Sequence, residues 1–149
     1  MKILIMGLAG TGKTTLGRRL QEKLKAAYFN ADEVRTMFCD WEFTPEARNR
    51  QAMRMSRLAD IAMNDFVIAD FICPTRATRD LFEPDFIIWM DTEKESNSAN
   101  GPAAEGSTFK QTDKMFEEPT DCDVRVTEKD VDKWADVVYT EIFNHLPRF

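Results

Sequence analysis

The chain has 149 residues, 43% of them hydrophobic and 31% charged, with a net charge of −6. That length accommodates one domain with a single core and needs no disulfide or metal to hold it. An acidic balance excludes a general DNA- or membrane-coating role, which needs broad basic surfaces, but not a locally positive pocket for a small anion.

Met1 to Met6 reads as a short buried strand closed by Gly7. From Lys13 to about Ala26, Leu16, Leu20 and Leu24 recur every fourth residue, which predicts an amphipathic helix. "AYFNAD" (27–32) reads as a second strand ending in polar residues. Thr44-Pro45-Glu46 is a helix opening, with a hydroxyl cap, proline at the first position and an acid in the first turn. That helix is expected to run to about Met63, with Ala52, Met55, Ala59, Ala62 and Met63 facing inward. "DFVIADFICP" (65–74) and "DFIIWMD" (85–91) are near-continuous apolar strands, as a parallel sheet covered on both faces requires, and "DVRVT" (123–127) is a candidate fifth. Thr127 is then expected to cap a last helix whose inner face carries Val131, Trp134, Val138, Ile142 and Leu146.

Strands alternating with helices predict an α/β fold, a doubly wound, mainly parallel five-stranded sheet with helices on both faces. Residues 92–107, "TEKESNSANGPAAEGS", are small, polar and unpatterned, and are expected to form a mobile, lid-like loop within a single domain spanning 1–149. Cys39, Cys73 and Cys122 are odd in number and lack metal-type pairing, so free thiols in a reducing, cytoplasmic setting are expected. The N-terminal apolar stretch is too short for a signal peptide, and no run reaches the length of a membrane span.

The chemistry lies in the turn after the first strand. Gly7-Leu8-Ala9-Gly10-Thr11-Gly12-Lys13-Thr14 fits G-x-x-x-x-G-K-[ST], the phosphate-binding P-loop, with Thr15 following inside the helix. Backbone N–H groups converge on phosphate oxygens only where side chains do not obstruct them, hence glycine. The helix that starts here turns its unpaired N–H groups and positive dipole end to the anion. Lys13 supplies a compact positive charge for the β- and γ-phosphates, and the Thr14 hydroxyl is a ligand for Mg²⁺. A P-loop NTPase fold with ATP and Mg²⁺ as cofactors is therefore expected.

Three further segments carry a resemblance. Asn30-Ala31-Asp32-Glu33-Val34-Arg35 follows the second strand; Phe43-Thr-Pro-Glu-Ala-Arg48-Asn-Arg-Gln51-Ala-Met-Arg54 opens the long helix; Ala69-Asp-Phe-Ile72-Cys73-Pro74-Thr75-Arg76-Ala-Thr-Arg79 follows the third strand. In order and spacing they resemble the D-G-D-x-x-R, F-[ST]-x-x-x-R-x-x-N-I-R-R and A-x-I-S-P-[YF]-R-x-x-R motifs of adenylylsulfate kinases, which phosphorylate the 3′-hydroxyl of adenosine 5′-phosphosulfate. The likeness covers residues 3 to 91, with an echo at "FEEP" (116–119). It implies that Asp32 positions the 3′-hydroxyl, that Arg35, Arg48 and Gln51 grip the phosphosulfate, and that Ile72, Cys73 and Pro74 line the acceptor site. It also implies a homodimer.

Chemistry without the family allows alternatives. Asp32 at a strand end can act on a hydroxyl or cap a short helix. Phe43 can stack on a base or anchor the core. Arg35, Arg48, Arg76 and Arg79 offer forked donors to phosphate or sulfate, while Arg50 fits a solvated ion pair better. The departures from the family are specific: Asn30 and Gln51 replace an acid and an asparagine, Cys73 replaces a serine, and Lys94 is the only base within 92–107, where the family's lid carries several.

The sequence thus points to an ATP-dependent small-molecule kinase with a phosphorylated acceptor, adenosine 5′-phosphosulfate favoured. Kinases of another nucleoside, nucleotide or polynucleotide end stay open, as does a nucleotide-binding protein without kinase activity. Neither a membrane nor extended nucleic acid is an expected partner.

Overall fold

The computed structural model describes residues 1–98, 101–102 and 107–148. Five parallel strands form the main sheet: β1 (Lys2–Met6), β2 (Ala27–Asn30), β3 (Val67–Asp70), β4 (Phe86–Met90) and β7 (Val124–Val126). They lie in the order β2-β3-β1-β4-β7, so β1 sits at the centre with β3 and β4 as its neighbours. Leu4 faces Ala69 on one side and Ile87 on the other. These central strands are buried on both faces, which is why they read as apolar runs and not as alternating ones.

Helices cover both faces. α1 (Lys13–Leu24) and α6 (Val131–His145) bury Leu16, Leu20, Leu24, Ala135, Val138 and Ile142 against Ile3, Ile5, Ile68 and Ile88. On the other face α2 (Ala31–Met37), α3 (Pro45–Ile61) and α4 (Arg76–Phe82) bury Val34, Ala52, Met55, Ala59 and Phe82 against Leu4, Met6, Val67 and Trp89. The expected doubly wound α/β sheet is therefore the one found. No helix among the described residues is long and apolar enough to cross a membrane.

Several boundaries differ from expectation, each for a local reason. The second strand ends at Asn30, whose side chain accepts the N–H groups of Asp32 and Glu33 and so starts α2. Asp32 thus lies in a helix's first turn, not at a strand end, and Asn30 is the cap. α3 opens at Thr44 and Pro45 as expected but stops at Ile61, because Ala62 turns to extended backbone; Met63 falls off the inner face and is 99% exposed. The last helix is capped by Asp130, which accepts the Lys133 N–H, and Thr127 lies upstream of it. Leu146 is the residue just past its end, half-buried and not in the buried stripe.

The stretch expected to be a mobile loop at 92–107 lies partly outside the described residues, at 99–100 and 103–106. Its described part makes several polar contacts. Thr92 Oγ1 donates to Thr11 O at 2.8 Å, and Asn97 N donates to Ala9 O at 2.9 Å. Ser96 is buried and donates to Asp113 through both its backbone N–H and its hydroxyl. β5 (Asn97–Ser98) pairs antiparallel with β6 (Gly101–Pro102), and α5 (Thr108–Met115) follows, capped by Ser107. Polar contacts of this kind leave no hydrophobic period to read.

One glycine fixes how closely α1 lies on the sheet. A Cβ at Gly17 would stand 2.5 Å from the Tyr28 ring, so the helix and β2 approach only because that atom is missing. Gly17→Ala gains helix propensity of up to about 1 kcal/mol but overpacks the contact at about 1–3 kcal/mol. The expected outcome is net destabilisation and a lower Tm by thermal denaturation; an unchanged or higher Tm would show that the contact yields freely.

Candidate active site

The P-loop spans the gap between β1 and α1. Gly7, Gly10 and Gly12 all have positive φ, at 147°, 80° and 95°. A Cβ at Gly7 would sit 2.5 Å from Met90 O, and one at Gly10 would sit 2.7 Å from Asn97 Cβ, so neither position admits a side chain. Gly12 is the N-cap of α1 in left-handed conformation, and no side chain caps that helix's first turn. Its opening N–H groups therefore remain donors for a ligand. Thr11 is buried and closes the loop from within by donating to Leu8 O at 2.8 Å. Lys13 Nζ donates to Gly7 O and Leu8 O at 3.0 and 2.8 Å. Burial lowers the pKa of this ammonium, against the opposing charges of Asp70 and then Asp32.

A cleft of about 510 Å³ opens beside this loop at the C-terminal ends of β1, β2 and β3, where open α/β sheets bind ligands. It brings together Lys13 and Thr14 with Asp32, Arg35, Phe43, Arg48, Gln51, Ile72, Cys73 and Pro74. Arg35 and Arg48 are 5% and 8% exposed, yet neither forms an ion pair among the described residues. Arg35 donates to the carbonyls of Asp40 and Glu42, and Arg48 to Phe43 O and to Thr112 Oγ1 on α5. Burial lowers both pKa values; the charges of Asp40 and then Asp32 oppose it at Arg35, and the charge of Arg35 adds to it at Arg48. An anion in the cleft relieves both costs.

Phe43 is exposed at the cleft wall, with the Arg35 and Arg48 guanidiniums 4.4 and 5.4 Å from its ring centroid, and so is not a core anchor. Trp41 and, from α5, Phe109 are also exposed aromatics on this cleft. The loop that presents Trp41 and Phe43 is held by Asp40, which accepts from Arg50 and Arg54; these guanidiniums keep its carboxyl well below the usual range. Gln51 lies on the cleft wall, but its amide donates to Ala31 O and accepts from Arg54.

Two arginines singled out in the sequence are elsewhere. Arg79 is buried and spent on Cys73 O and Glu117 O, where it ties the β3–α4 turn to the segment after α5. Arg76 is exposed, its side chain 3.9 Å from Asp80. Of the bases at the lid, Lys94 pairs with Asp91 and Lys110 with Glu95.

Asp70 escaped the sequence reading. It ends β3 beside the P-loop strand, is 2% exposed, and receives Thr14 Oγ1 at 2.8 Å and Asn30 Nδ2 at 3.2 Å. Tyr28 Oη donates to the same oxygen. Burial, then the charge of Asp70, raises the Tyr28 pKa and keeps the phenol a donor. An acid closing an apolar strand adjacent to β1 was the available signal. Hydroxyl and carboxylate are hard oxygen donors, so Thr14 and Asp70 fit a Mg²⁺ that keeps waters and phosphate oxygens as its other ligands.

A second, smaller cavity of about 170 Å³ lies on the far side of the loop, bounded by Gly12, Thr15, Met90, Val126, Lys129 and Trp134. Gly10 borders both cavities, so the P-loop stands between two sites.

A family profile described as an AAA domain matches residues 3–97. Over 68 residues the chain is 37% identical to cytidine diphosphoramidate kinase of Campylobacter jejuni; that match covers 42% of this chain and 39% of the relative. The fold is similar to that of the APS kinase of Mycobacterium tuberculosis in complex with AMPPNP and APS, with a TM-score of 0.79, 22% identity, and 95% and 96% of the two chains covered. It is also similar to shikimate kinase of Aquifex aeolicus, with a TM-score of 0.68, 16% identity and 97% of each chain covered.

Cys73 lines the cleft, but it is 1% exposed and burial pushes its thiol up to about 12. It stays protonated and unreactive at neutral pH. Iodoacetamide at pH 8 is expected to modify the exposed Cys39 and to reach Cys73 only after unfolding, as read by peptide mass mapping. Rapid alkylation of Cys73 in the folded chain would contradict this environment.

Proposed function

The chain belongs to the AAA domain family, and from that premise we propose that it is a phosphotransferase moving the γ-phosphate of ATP to a hydroxyl of a small, anionic, nucleotide-like acceptor. The observation that carries this reading is the pair of buried guanidiniums, Arg35 and Arg48, standing without an ion-pair partner among the described residues beside the P-loop. An aromatic wall of Trp41, Phe43 and Phe109 around those cations favours a planar base over a polyol or a small ring acid. Adenosine 5′-phosphosulfate remains the preferred acceptor. A cytidine diphosphoramidate, the substrate named for the Campylobacter relative, has the same combination of base and charged 5′ tail.

In this mechanism the triphosphate lies along the P-loop, with its nucleoside in the smaller cavity and its γ-phosphate toward the larger one. Lys13 leaves the Gly7 and Leu8 carbonyls and neutralises charge on the transferring group, as the opening amides of α1 do. Thr14 and Asp70 would hold a Mg²⁺, which would supply positive charge against the triphosphate. Arg35 and Arg48 grip the anionic tail of the acceptor, and Phe43 stacks on its base. Asp32, exposed on the cleft and free of ion pairs among the described residues, takes the hydroxyl proton as the new P–O bond forms and the β–γ bridge breaks, releasing ADP. The lid-side lysines are paired with acids, so water exclusion falls to the acceptor and to α5.

ADP release from Mg-ATP is the assay, run with adenosine 5′-phosphosulfate, a cytidine diphosphoramidate, shikimate and gluconate. Acceptor-dependent ADP with one of the nucleotides is expected. ADP release with shikimate or gluconate alone would overturn the base-binding wall, and ATP binding without turnover on any acceptor would favour a nucleotide-binding protein that is not a kinase. Asp32→Ala is expected to lower kcat by about 10²–10⁴-fold while leaving ATP affinity unchanged; an unchanged kcat removes Asp32 from the chemistry.

A further inference from the structure

The residues around Asp70 carry an inference that rests on the proposed Mg-nucleotide site and goes further into how that site is built. In the β2–β3 register Asn30 lies directly opposite Asp70, and Tyr28, two residues earlier, shares its face of the sheet. Three donors meet on one oxygen, Asp70 Oδ2: the Thr14 hydroxyl at 2.8 Å, the Asn30 amide at 3.2 Å and the Tyr28 phenol. Asp70 Oδ1 has no hydrogen-bond partner among the described residues, and Asp70 lines the cleft. Saturating one oxygen fixes the rotation of the carboxylate and leaves the other as its available acceptor.

Tyr28 is placed for this from two sides. Its ring lies against α1 at the one position without a side chain, Gly17, and the Arg18 guanidinium covers it at 4.2 Å from the centroid. α1 is the helix whose first turn holds Lys13 and Thr14, so the phenol is locked to the element that carries the phosphate loop. Asn30 links the same oxygen to the acceptor side, since its Oδ1 caps the helix bearing Asp32.

We propose that Tyr28 is a positioning residue for the divalent cation: with Asn30 it pins Asp70 through Oδ2 so that Oδ1 is presented to the metal beside Thr14. The phenol touches neither nucleotide nor metal. Its effect passes through Asp70, as partners behind a ligand orient that ligand elsewhere. A purely structural role would show in stability alone, whereas a positioning role shows in metal dependence.

The test is calorimetric titration of ADP into the full chain, first with EDTA and then across a MgCl₂ series, for wild type and Tyr28→Phe. The ring, its contact with Gly17 and the Arg18 stacking are retained in this variant. Expected is unchanged metal-free ADP affinity with a Mg²⁺ requirement about tenfold higher than wild type. A wild-type Mg²⁺ response in Tyr28→Phe overturns the proposal and leaves the site otherwise intact. Wild-type ADP binding that ignores Mg²⁺ overturns the metal site itself, and this inference with it. Gly17→Ala, whose Cβ would stand 2.5 Å from the Tyr28 ring and 3.0 Å from its hydroxyl, is the second variant: a higher Mg²⁺ requirement with unchanged metal-free ADP affinity supports the proposal, and a wild-type Mg²⁺ response opposes it should Tyr28→Phe fail to fold.

Discussion

Everything in this molecule hangs on a turn that no side chain can enter. Between β1 and α1 the backbone passes so close to Met90 and Asn97 that Gly7 and Gly10 have no room for a Cβ, and all three loop glycines hold positive φ. The central position of β1 sets that turn between the two cavities, and the uncapped start of α1 points unpaired amides into it. A backbone bare of side chains and an uncapped helix start at one place are the features that suit an anionic ligand. The turn follows the central strand of a sheet packed on both faces by apolar layers.

The larger cavity solves a different electrostatic problem. On a chain of net charge −6 it gathers three cations, Lys13, Arg35 and Arg48, and leaves the two arginines hydrogen-bonded mainly to backbone carbonyls and a hydroxyl instead of to acids. Carbonyls hold a guanidinium in place without cancelling its charge, so the three cations outnumber the two acids on the cleft, Asp32 and Asp70. Where arginine is wanted only as a strut, it is spent fully: Arg79 in its turn, and Arg50 and Arg54 on Asp40. Arg48 also reaches Thr112, which joins the cleft wall to α5.

The sheet and the loop were legible because each leaves a strong local imprint. Apolar runs, the first of them closed by Gly7, gave the strands, the leucine spacing gave α1, and the glycine-lysine-threonine string gave the turn. Side-chain caps were harder to place: Asn30, Asp130 and Thr127 are all chemically able, and only the three-dimensional path of the chain decides among them. Asp70, Tyr28, Trp41 and Phe109 were hidden because their meaning is an adjacency across strands or between distant helices. The anchoring of residues 92–98 to the P-loop was invisible for the same reason, since its contacts are polar and nonperiodic.

The most direct measurement is calorimetric titration of Mg-ATP into the folded chain alongside Lys13→Ala. A triphosphate seat predicts saturable heat from one site in the wild type, weakened about tenfold or more when the ammonium is removed, since charge-assisted contacts to phosphate are worth about 1.5–3 kcal/mol each. A folded wild type that takes up no Mg-ATP, or a Lys13→Ala chain that binds it equally well, would contradict the nucleotide site at its root.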